Sequence, residues 1–304
     1  MLFPTVFFEG KYIPAEQAKI SVATHAFLYG TSVFEGIRAY WNNQTKKVYI
    51  FRPLEHFLRL HNSGKILRME LKQSPEEMVH ITRELLKKSN PSEDVYIRPI
   101  AYKAGLRIGP SLLHNPTEFC VFCVPMGDYI DTTKGISVSV SNWRRVEDNA
   151  MPARAKIAGS YVNTALAKTD ALLSNFADTI VLAEDGHVSE GSAMNLFIVR
   201  DGKLITSGIT DNILEGITRD TIAQLAKEEL GLEVIERKID RTELYICDEM
   251  FFCGTGAQVS PITSVDYYDI GNGKIGPITA KLKDLYFKVV RGEVEKYSKW
   301  CVEV

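Results

Sequence analysis

Pro152-Ala153-Arg154-Ala155-Lys156-Ile157-Ala158-Gly159-Ser160-Tyr161 is the stretch from which the rest of the chain is most readily understood. Lys156 stands among small side chains, with Tyr161 five positions on. So little bulk lets a flat ligand approach the amine closely, with an aromatic hydroxyl near it. On its own such a lysine reads as a solvated surface charge. Three later stretches change that reading. Ser189-Glu190-Gly191-Ser192 sets a carboxylate in a Gly/Ser turn ahead of the apolar Leu196-Phe197, and Gly216-Ile217-Thr218-Arg219-Asp220 opens an amphipathic helix. Gly254-Thr255-Gly256-Ala257 follows the apolar run Met250-Phe251-Phe252-Cys253.

One amine, one acid and two turns rich in backbone N–H groups form a chemically coherent set. They suit an aldehyde cofactor that carries a phosphate and a basic ring nitrogen, which is pyridoxal phosphate (PLP).

The 304 residues allow a sizeable core and two domains. A formal charge of −2 gives no electrostatic basis for binding nucleic acid or an anionic membrane. No apolar run approaches the ~20 residues of a membrane span. Met1-Leu2-Phe3-Pro4-Thr5 has no basic segment or cleavage pattern of an export signal. Five cysteines, an odd number set mostly in apolar runs, fit a reducing cytoplasm.

Two motif matches carry no function. Cys120-Val121-Phe122-Cys123 is a C-x-x-C inside a strand-like run, where residues three apart face opposite sides. Gly271-Asn272-Gly273-Lys274-Ile275-Gly276 matches G-x-G-x-x-G, but too little chain follows for a βαβ unit. A turn ahead of a helix opened by Pro277 is the better reading. No set of residues with metal-ligand spacing stands out, so no metal is expected.

Taken in order, residues 1–24 read as short strands with turns at Glu9-Gly10-Lys11 and Pro14. Residues 25–40 are rich in aromatics and glycine. Residues 47–52 form a strand, and Pro53 opens a helix with Leu54, Phe57, Leu58 and His61 as its apolar stripe and Arg59 off it. Ser74-Pro75-Glu76-Glu77 caps a second helix whose stripe is Met78, Ile81, Leu85 and Leu86, stopped at Asn90-Pro91. Residues 95–102 form a strand with Tyr96 and Arg98 on one side, and an arginine in so apolar a strand needs an anionic partner or an edge position. A flexible loop carrying Arg107 follows at 105–110, then a strand at 118–125 and a linker near 126–134. Beyond it, the chain predicts a helix at 158–174 and a strand at 179–183 with a turn at Glu184-Asp185-Gly186. A hairpin across Asp201-Gly202, a helix at 218–230 closed by Gly231, strands at 250–253 and 261–265, and a last helix at 279–299 complete it.

Seven blocks together resemble the fold-type-IV (class IV) PLP-dependent aminotransferases, most closely the branched-chain amino acid aminotransferases, over nearly the whole chain. They are Tyr29 to Arg38, Arg59-Leu60-His61, Tyr96-Ile97-Arg98-Pro99, Lys156 to Tyr161, Ser189-Glu190-Gly191 with Asn195-Leu196-Phe197, Gly216 to Asp220, and Gly254-Thr255. The resemblance implies an α/β (mixed α+β) chain: a small N-terminal α/β domain at 1–125, an interdomain linker at 126–135, a larger C-terminal PLP-binding domain at 136–304, and PLP in the cleft. It also implies a homodimer or hexamer of dimers, in which a loop of one subunit closes its neighbour's site.

By the same resemblance, Lys156 carries the cofactor covalently and, once freed, serves as general base and acid. Glu190 faces the ring nitrogen, Tyr161 the ring hydroxyl, and Leu214 covers one ring face. Arg59, the N–H groups of Ile217 and Thr218, and the Thr255 hydroxyl take the phosphate. Tyr29, Phe34, Gly36, Tyr96, Arg98, Arg107 and Tyr129 line the substrate pocket, with Thr255, Gly256 and Ala257 on the α-carboxylate. The implied reaction is ping-pong transfer of the amino group of leucine, isoleucine or valine to 2-oxoglutarate, giving branched 2-oxo acids and glutamate.

The chain departs from the family's commonest pattern at Gly256, where alanine is frequent, and at Arg107 in the 105–110 loop. Arg107 leaves open an (R)-amine or D-amino-acid transaminase. Ile100, two after Arg98, argues against the D-amino-acid branch, which resembles Arg-x-His there. Aminodeoxychorismate lyases match less well at Tyr96 to Pro99. A catalytically silent homologue is the other alternative, and intact Lys156 and Glu190 argue against it.

Overall fold

Alternating burial along Val95–Lys103 gives the strand on which the first half of the chain is assembled. The computed structural model describes residues 2–127 and 133–304, which group into two compact units. The first takes the residues up to Gly127 together with Ala155–Gly159 and Lys288–Val304; the second takes those up to Arg154 and Ser160–Phe287.

The first unit begins with β1 (Thr5–Phe8) and β2 (Lys11–Pro14), then α1 (His25–Tyr29) and the short β3 (Ser32–Phe34). β4 (Ile37–Asn42), β5 (Lys47–Phe51), α2 (Pro53–Ile66), α3 (Pro75–Ser89), β6 (Val95–Lys103) and β7 (Thr117–Pro125) follow. Its sheet runs from the chain's last strand, Cys301–Glu303, through β5, β4, β6, β7 and β1 to β2, with β3 also on β6. α3 begins as its sequence requires: the Ser74 side chain accepts from Glu77 N–H while the Glu77 carboxylate accepts from Ser74 N–H.

α2 buries a different face from the one its apolar residues suggest. Pro53, His56, Phe57, Leu60, Ser63 and Gly64 are buried, while Leu54 and Leu58 are exposed. Polar His56 and Ser63 lie inward because each has a hydrogen-bond partner within the unit. In α3 the buried stripe is Met78, Thr82, Leu85 and Leu86, with Ile81 only half-buried.

The second unit holds β8 (Ile136–Arg144), α4 (Tyr161–Leu173), β9 (Asp178–Leu182), β10 (Val188–Gly191), β11 (Asn195–Arg200) and β12 (Lys203–Thr206). α5 (Ile217–Leu230), β13 (Val234–Glu236), β14 (Glu249–Gly254), β15 (Gln258–Val265), β16 (Tyr268–Asp269) and the start of α6 (Pro277–Val290) complete it, and β17 is the terminal Cys301–Glu303 of the first sheet. Its sheet order is β10-β9-β8-β15-β14-β11-β12-β13, with β16 on β15. β8 and β9 are parallel with α4 against them, and β12 and β13 are parallel with α5 as their crossover. Val138, Ile180, Leu196, Ile198, Phe252 and Val265 centre its core.

Two further sequence expectations are corrected. Ser189-Glu190-Gly191 belongs to strand β10, whose residues are all buried, and the turn comes after it at 192–194. The last helix stops at Val290, where Gly292 (φ 72°) turns the chain and Glu293 N–H bonds back to Lys288 O. Only a 3₁₀ segment, Glu295–Trp300, and β17 follow. Two segments within the 136–304 span group with the first unit. Ala155–Gly159 joins the first unit because Ile157 bridges Val33 there. Residues 288–304 join it because β17 pairs with β5 and Arg52 N–H donates to Trp300 O at 2.7 Å. Of the expected linker, only residues 126–127 and 133–135 are described.

The glycine-rich turn at 271–276 serves α6. The Glu249 carboxylate accepts from Ile278 N–H (3.0 Å) and Thr279 N–H (2.7 Å), filling the helix N-terminus with the chain's own anion. A Cβ on Gly276 would lie 2.0 Å from the Glu249 carboxyl carbon. Gly276→Ala is therefore expected to destabilise the protein by the ~1–3 kcal/mol of an overpacked site. Thermal unfolding should show the loss with or without added dinucleotide; a protective effect of dinucleotide on the wild type would restore the nucleotide reading.

Candidate functional site

In the first unit, Lys156 is held by backbone pairing. Phe34 N–H donates to Lys156 O (3.0 Å), Gly159 N–H to Gly30 O (3.2 Å) and Lys156 N–H to Ser63 Oγ (3.1 Å). The amine then lies over the Phe34 ring, 5.1 Å from its centroid. The Arg98 guanidinium carbon lies 4.3 Å from the same centroid and 5.1 Å from that of Tyr96. Arg98 also donates to the Tyr96 hydroxyl at 2.6 Å. Gly36 makes room for that phenol, since a Cβ there would stand 2.4 Å from its oxygen. Phe34, Gly36, Tyr96, Arg98 and Lys156, all named from sequence, thus come together.

Glu35 directly follows β3, and its carboxylate is fully buried. Arg59 meets it in a fork, Nε to Oε1 at 2.7 Å and Nη2 to Oε2 at 2.8 Å, and His56 Nδ1 donates to Oε2 at 2.7 Å. Burial alone would raise the Glu35 pKa, but the Arg59 charge and the bonds from Arg59 and His56 outweigh it and hold the carboxyl well below the usual range. Burial lowers the His56 pKa despite Glu35, so the ring is neutral with its proton on Nδ1. Sequence reasoning quoted Glu35 and passed over His56, assigning neither a role. The signal was an acid inside an aromatic, apolar stretch, which requires a cation as Arg98 requires an anion.

Arg38, buried to 1% exposure, donates to the Met126 and Gly127 carbonyls at 3.0 and 2.9 Å. Tyr29 accepts Gly109 N–H at 2.8 Å, and Arg107 donates to Leu113 O within its own loop. Tyr129 lies outside the described residues.

In the second unit, Glu190 is 3% exposed and held on both oxygens. Arg145 Nη2 lies 3.0 Å from Oε1, while Asn195 Nδ2 (3.0 Å) and Leu214 N–H (3.2 Å) donate to Oε2. Arg145 was missed because it lies far from Glu190 in sequence, just past the end of β8, and no local pattern links the two. Tyr161 opens α4. Ile217 and Thr218 form the first turn of α5, whose N-cap Gly216 supplies no side-chain cap. Thr255, Gly256 and Ala257 make the turn from β14 to β15.

All five cysteines are free, and burial pushes the thiols of Cys120 and Cys123 up to about 12, which suits inert core residues. Among the described residues no cluster of His, Cys, Asp and Glu is arranged to hold a metal, and no helix is long and apolar enough to cross a membrane.

The family model for amino-transferase class IV matches residues 32–265. The chain belongs to the class IV aminotransferases. It is 51% identical over 298 residues to a probable branched-chain-amino-acid aminotransferase of Aquifex aeolicus, covering 98% of this chain and 96% of that one. Among solved structures, the branched-chain aminotransferase of Thermoproteus uzoniensis with norvaline superposes with a TM-score of 0.94 at 37% identity, covering 98% of each chain. The branched-chain amino acid aminotransferase of Thermobaculum terrenum in its PLP form gives 0.95 at 37% identity, covering 99% of this chain and 98% of that one.

Glu35→Gln removes the counter-charge of Arg59, whose side chain is 13% exposed, and a loss short of the ~3–5 kcal/mol of a fully buried broken pair is expected. The folded carboxyl titrates below the ordinary value of about 4.3, so its ionised form stabilises the fold above that value. The stabilisation is lost as pH falls through the lowered folded pKa. Unfolding curves from pH 7 to 3 should therefore converge for wild type and variant towards acid; parallel curves would contradict an ionised Glu35.

Proposed function

We propose that this chain is a PLP-dependent branched-chain amino acid aminotransferase, moving the amino group of leucine, isoleucine or valine to 2-oxoglutarate. The observation that carries the reading is the grouping of an amine, an aromatic floor and a braced arginine at Lys156, Phe34, Tyr96 and Arg98. The full-length relatives named for that activity support it. The donor set suits the cofactor: a buried carboxylate with its own arginine, and a helix N-terminus without a side-chain cap.

PLP, when bound, supplies an electrophilic carbon for the amine and a ring that draws electrons from the substrate Cα. The chain's residues do the rest. Lys156 Nζ would hold the cofactor and, when free, would serve as the base and acid that takes up and gives back the substrate Cα proton. The Glu190 carboxylate, its plane fixed by Arg145 and Asn195, would accept the ring N–H. By the family resemblance, Tyr161 would donate to the ring hydroxyl oxygen and Leu214 would cover a ring face. By the same resemblance, Arg59, braced by Glu35, would serve as a phosphate donor, and so would the N–H groups of Ile217 and Thr218 and the Thr255 hydroxyl.

Gly256 and Ala257 bind the α-carboxylate through backbone N–H groups. A pocket that admits isobutyl and also the distal carboxylate of glutamate needs a cation that never stands bare. Arg98 answers this by lying on Phe34 and Tyr96, where apolar side chains meet ring faces and an arriving carboxylate meets the guanidinium. We assign the enzyme to the cytoplasm, where free thiols persist, and to a homodimer or hexamer of dimers. The exposed apolar Phe27, Leu106 and Ile108 are read as contacts of that assembly.

Borohydride reduction of the PLP-loaded protein should attach the cofactor at Lys156, and Lys156→Ala should bind PLP without trapping it. Label on another lysine overturns the assignment. Arg98→Ala should weaken glutamate and 2-oxoglutarate by the ~1.5–3 kcal/mol of a charged hydrogen bond while changing leucine little. Arg107→Ala should cost less, its guanidinium being engaged by Leu113 O. Equal losses for glutamate and leucine in Arg98→Ala would make Arg98 a general support of the pocket.

A further inference from the structure

We infer that His25 is a positioning residue: it clamps the 105–110 loop and so holds Arg107 and its neighbours in the shape that receives substrate. The inference rests on the aminotransferase reading for the word substrate and on geometry for the clamp. His25 is fully buried at the start of α1 and grips the loop at both ends. Its backbone N–H donates to Gly105 O at 2.8 Å, and its ring Nε2 lies 3.0 Å from Gly109 O. A carbonyl only accepts, so Nε2 carries the proton. Nδ1 lies 2.7 Å from Thr31 Oγ1, a hydroxyl that serves the ring as donor or acceptor. The bond to Gly109 is therefore kept whether the ring is neutral or charged.

Tyr29, four residues on, completes the grip. Its hydroxyl accepts Gly109 N–H at 2.8 Å, and its ring packs on His25 with centroids 4.8 Å apart. Both backbone polar groups of Gly109 are thus held by one turn of helix. Gly109 has φ +117°, a conformation open to glycine and strained for other residues. Between the two anchors the loop presents Leu106 and Ile108, 65% and 84% exposed, on a backbone that has no secondary structure of its own. Without the clamp the loop would be ordered afresh at each binding event, a cost that appears in substrate affinity and leaves the proton transfers at Lys156 untouched.

Two substitutions separate the ring's contacts. His25→Asn puts an amide where Nδ1 stands, keeping the Thr31 contact and losing Gly109. His25→Gln reaches the Nε2 position and restores a donor to Gly109. Both are compared as PLP-loaded enzyme by hydrogen exchange of the 105–113 segment, thermal midpoint, and KM and kcat for leucine and 2-oxoglutarate.

Loss of one hydrogen bond should speed loop exchange and raise KM by about five- to tenfold in His25→Asn, with kcat near wild type and His25→Gln near wild type in both. Unchanged loop exchange in His25→Asn overturns the clamp. Faster loop exchange with unchanged KM overturns the positioning role and leaves the aminotransferase reading standing. A fall in kcat with KM constant, or no rescue by glutamine, assigns His25 to general stability and overturns the proposal. A wild-type protein inert to every amino donor fails the functional reading itself, while loop exchange still reports on the clamp.

Discussion

The backbone pairing of residues 155–159 with residues 30–34 is the constraint on which the candidate chemistry depends. An isolated bridge between Val33 and Ile157, with Phe34 N–H on Lys156 O, brings a segment distant in sequence onto the edge strand β3. The end of β3 then sets the site. Phe34, its last residue, offers an aromatic floor for Lys156 and Arg98, while Glu35, just past it, is buried against Arg59.

Charge compensation is the second theme, and it is local to each unit. Glu35 with Arg59 and His56, and Glu190 with Arg145 and Asn195, are buried carboxylates whose oxygens are met by donors fixed on regular elements or at their ends. Buried pairs of this kind add little net stability, since desolvation offsets much of their attraction. What they provide is orientation, because a forked guanidinium fixes the plane of the carboxylate it meets. Each pair therefore presets a charged group that the proposed chemistry uses.

Much of this was legible in the sequence where the signal is local. The Ser74–Glu77 capping box, the Asp201-Gly202 hairpin, the Gly231 stop and the small residues flanking Lys156 each act within a few positions and appear in the fold as expected. Signals that depend on distant partners did not read. His56 and Ser63 sit on the buried face of α2 only because Glu35 and residue 156 supply their bonds, so a hydropathy stripe chose the wrong side. The last helix was expected to run to 299; beyond Gly292, Tyr297 and Trp300 are instead buried through a 3₁₀ segment that leads into a strand on β5. The partners of Arg98 were not legible either: it lies on Tyr96 and Phe34, while Tyr29 serves the 105–110 loop.

The central claim, that one pocket built on Phe34, Tyr96 and Arg98 serves both an apolar amino acid and a dicarboxylate, is tested most directly by isotope transfer. The purified protein with PLP is given ¹⁵N-labelled L-leucine and unlabelled 2-oxoglutarate, and the products are read by mass spectrometry. Labelled glutamate and 4-methyl-2-oxopentanoate in equal amounts, with no transfer from D-leucine, is the predicted result. Label that stays in leucine, or moves as readily from the D-enantiomer or an (R)-amine, would contradict it.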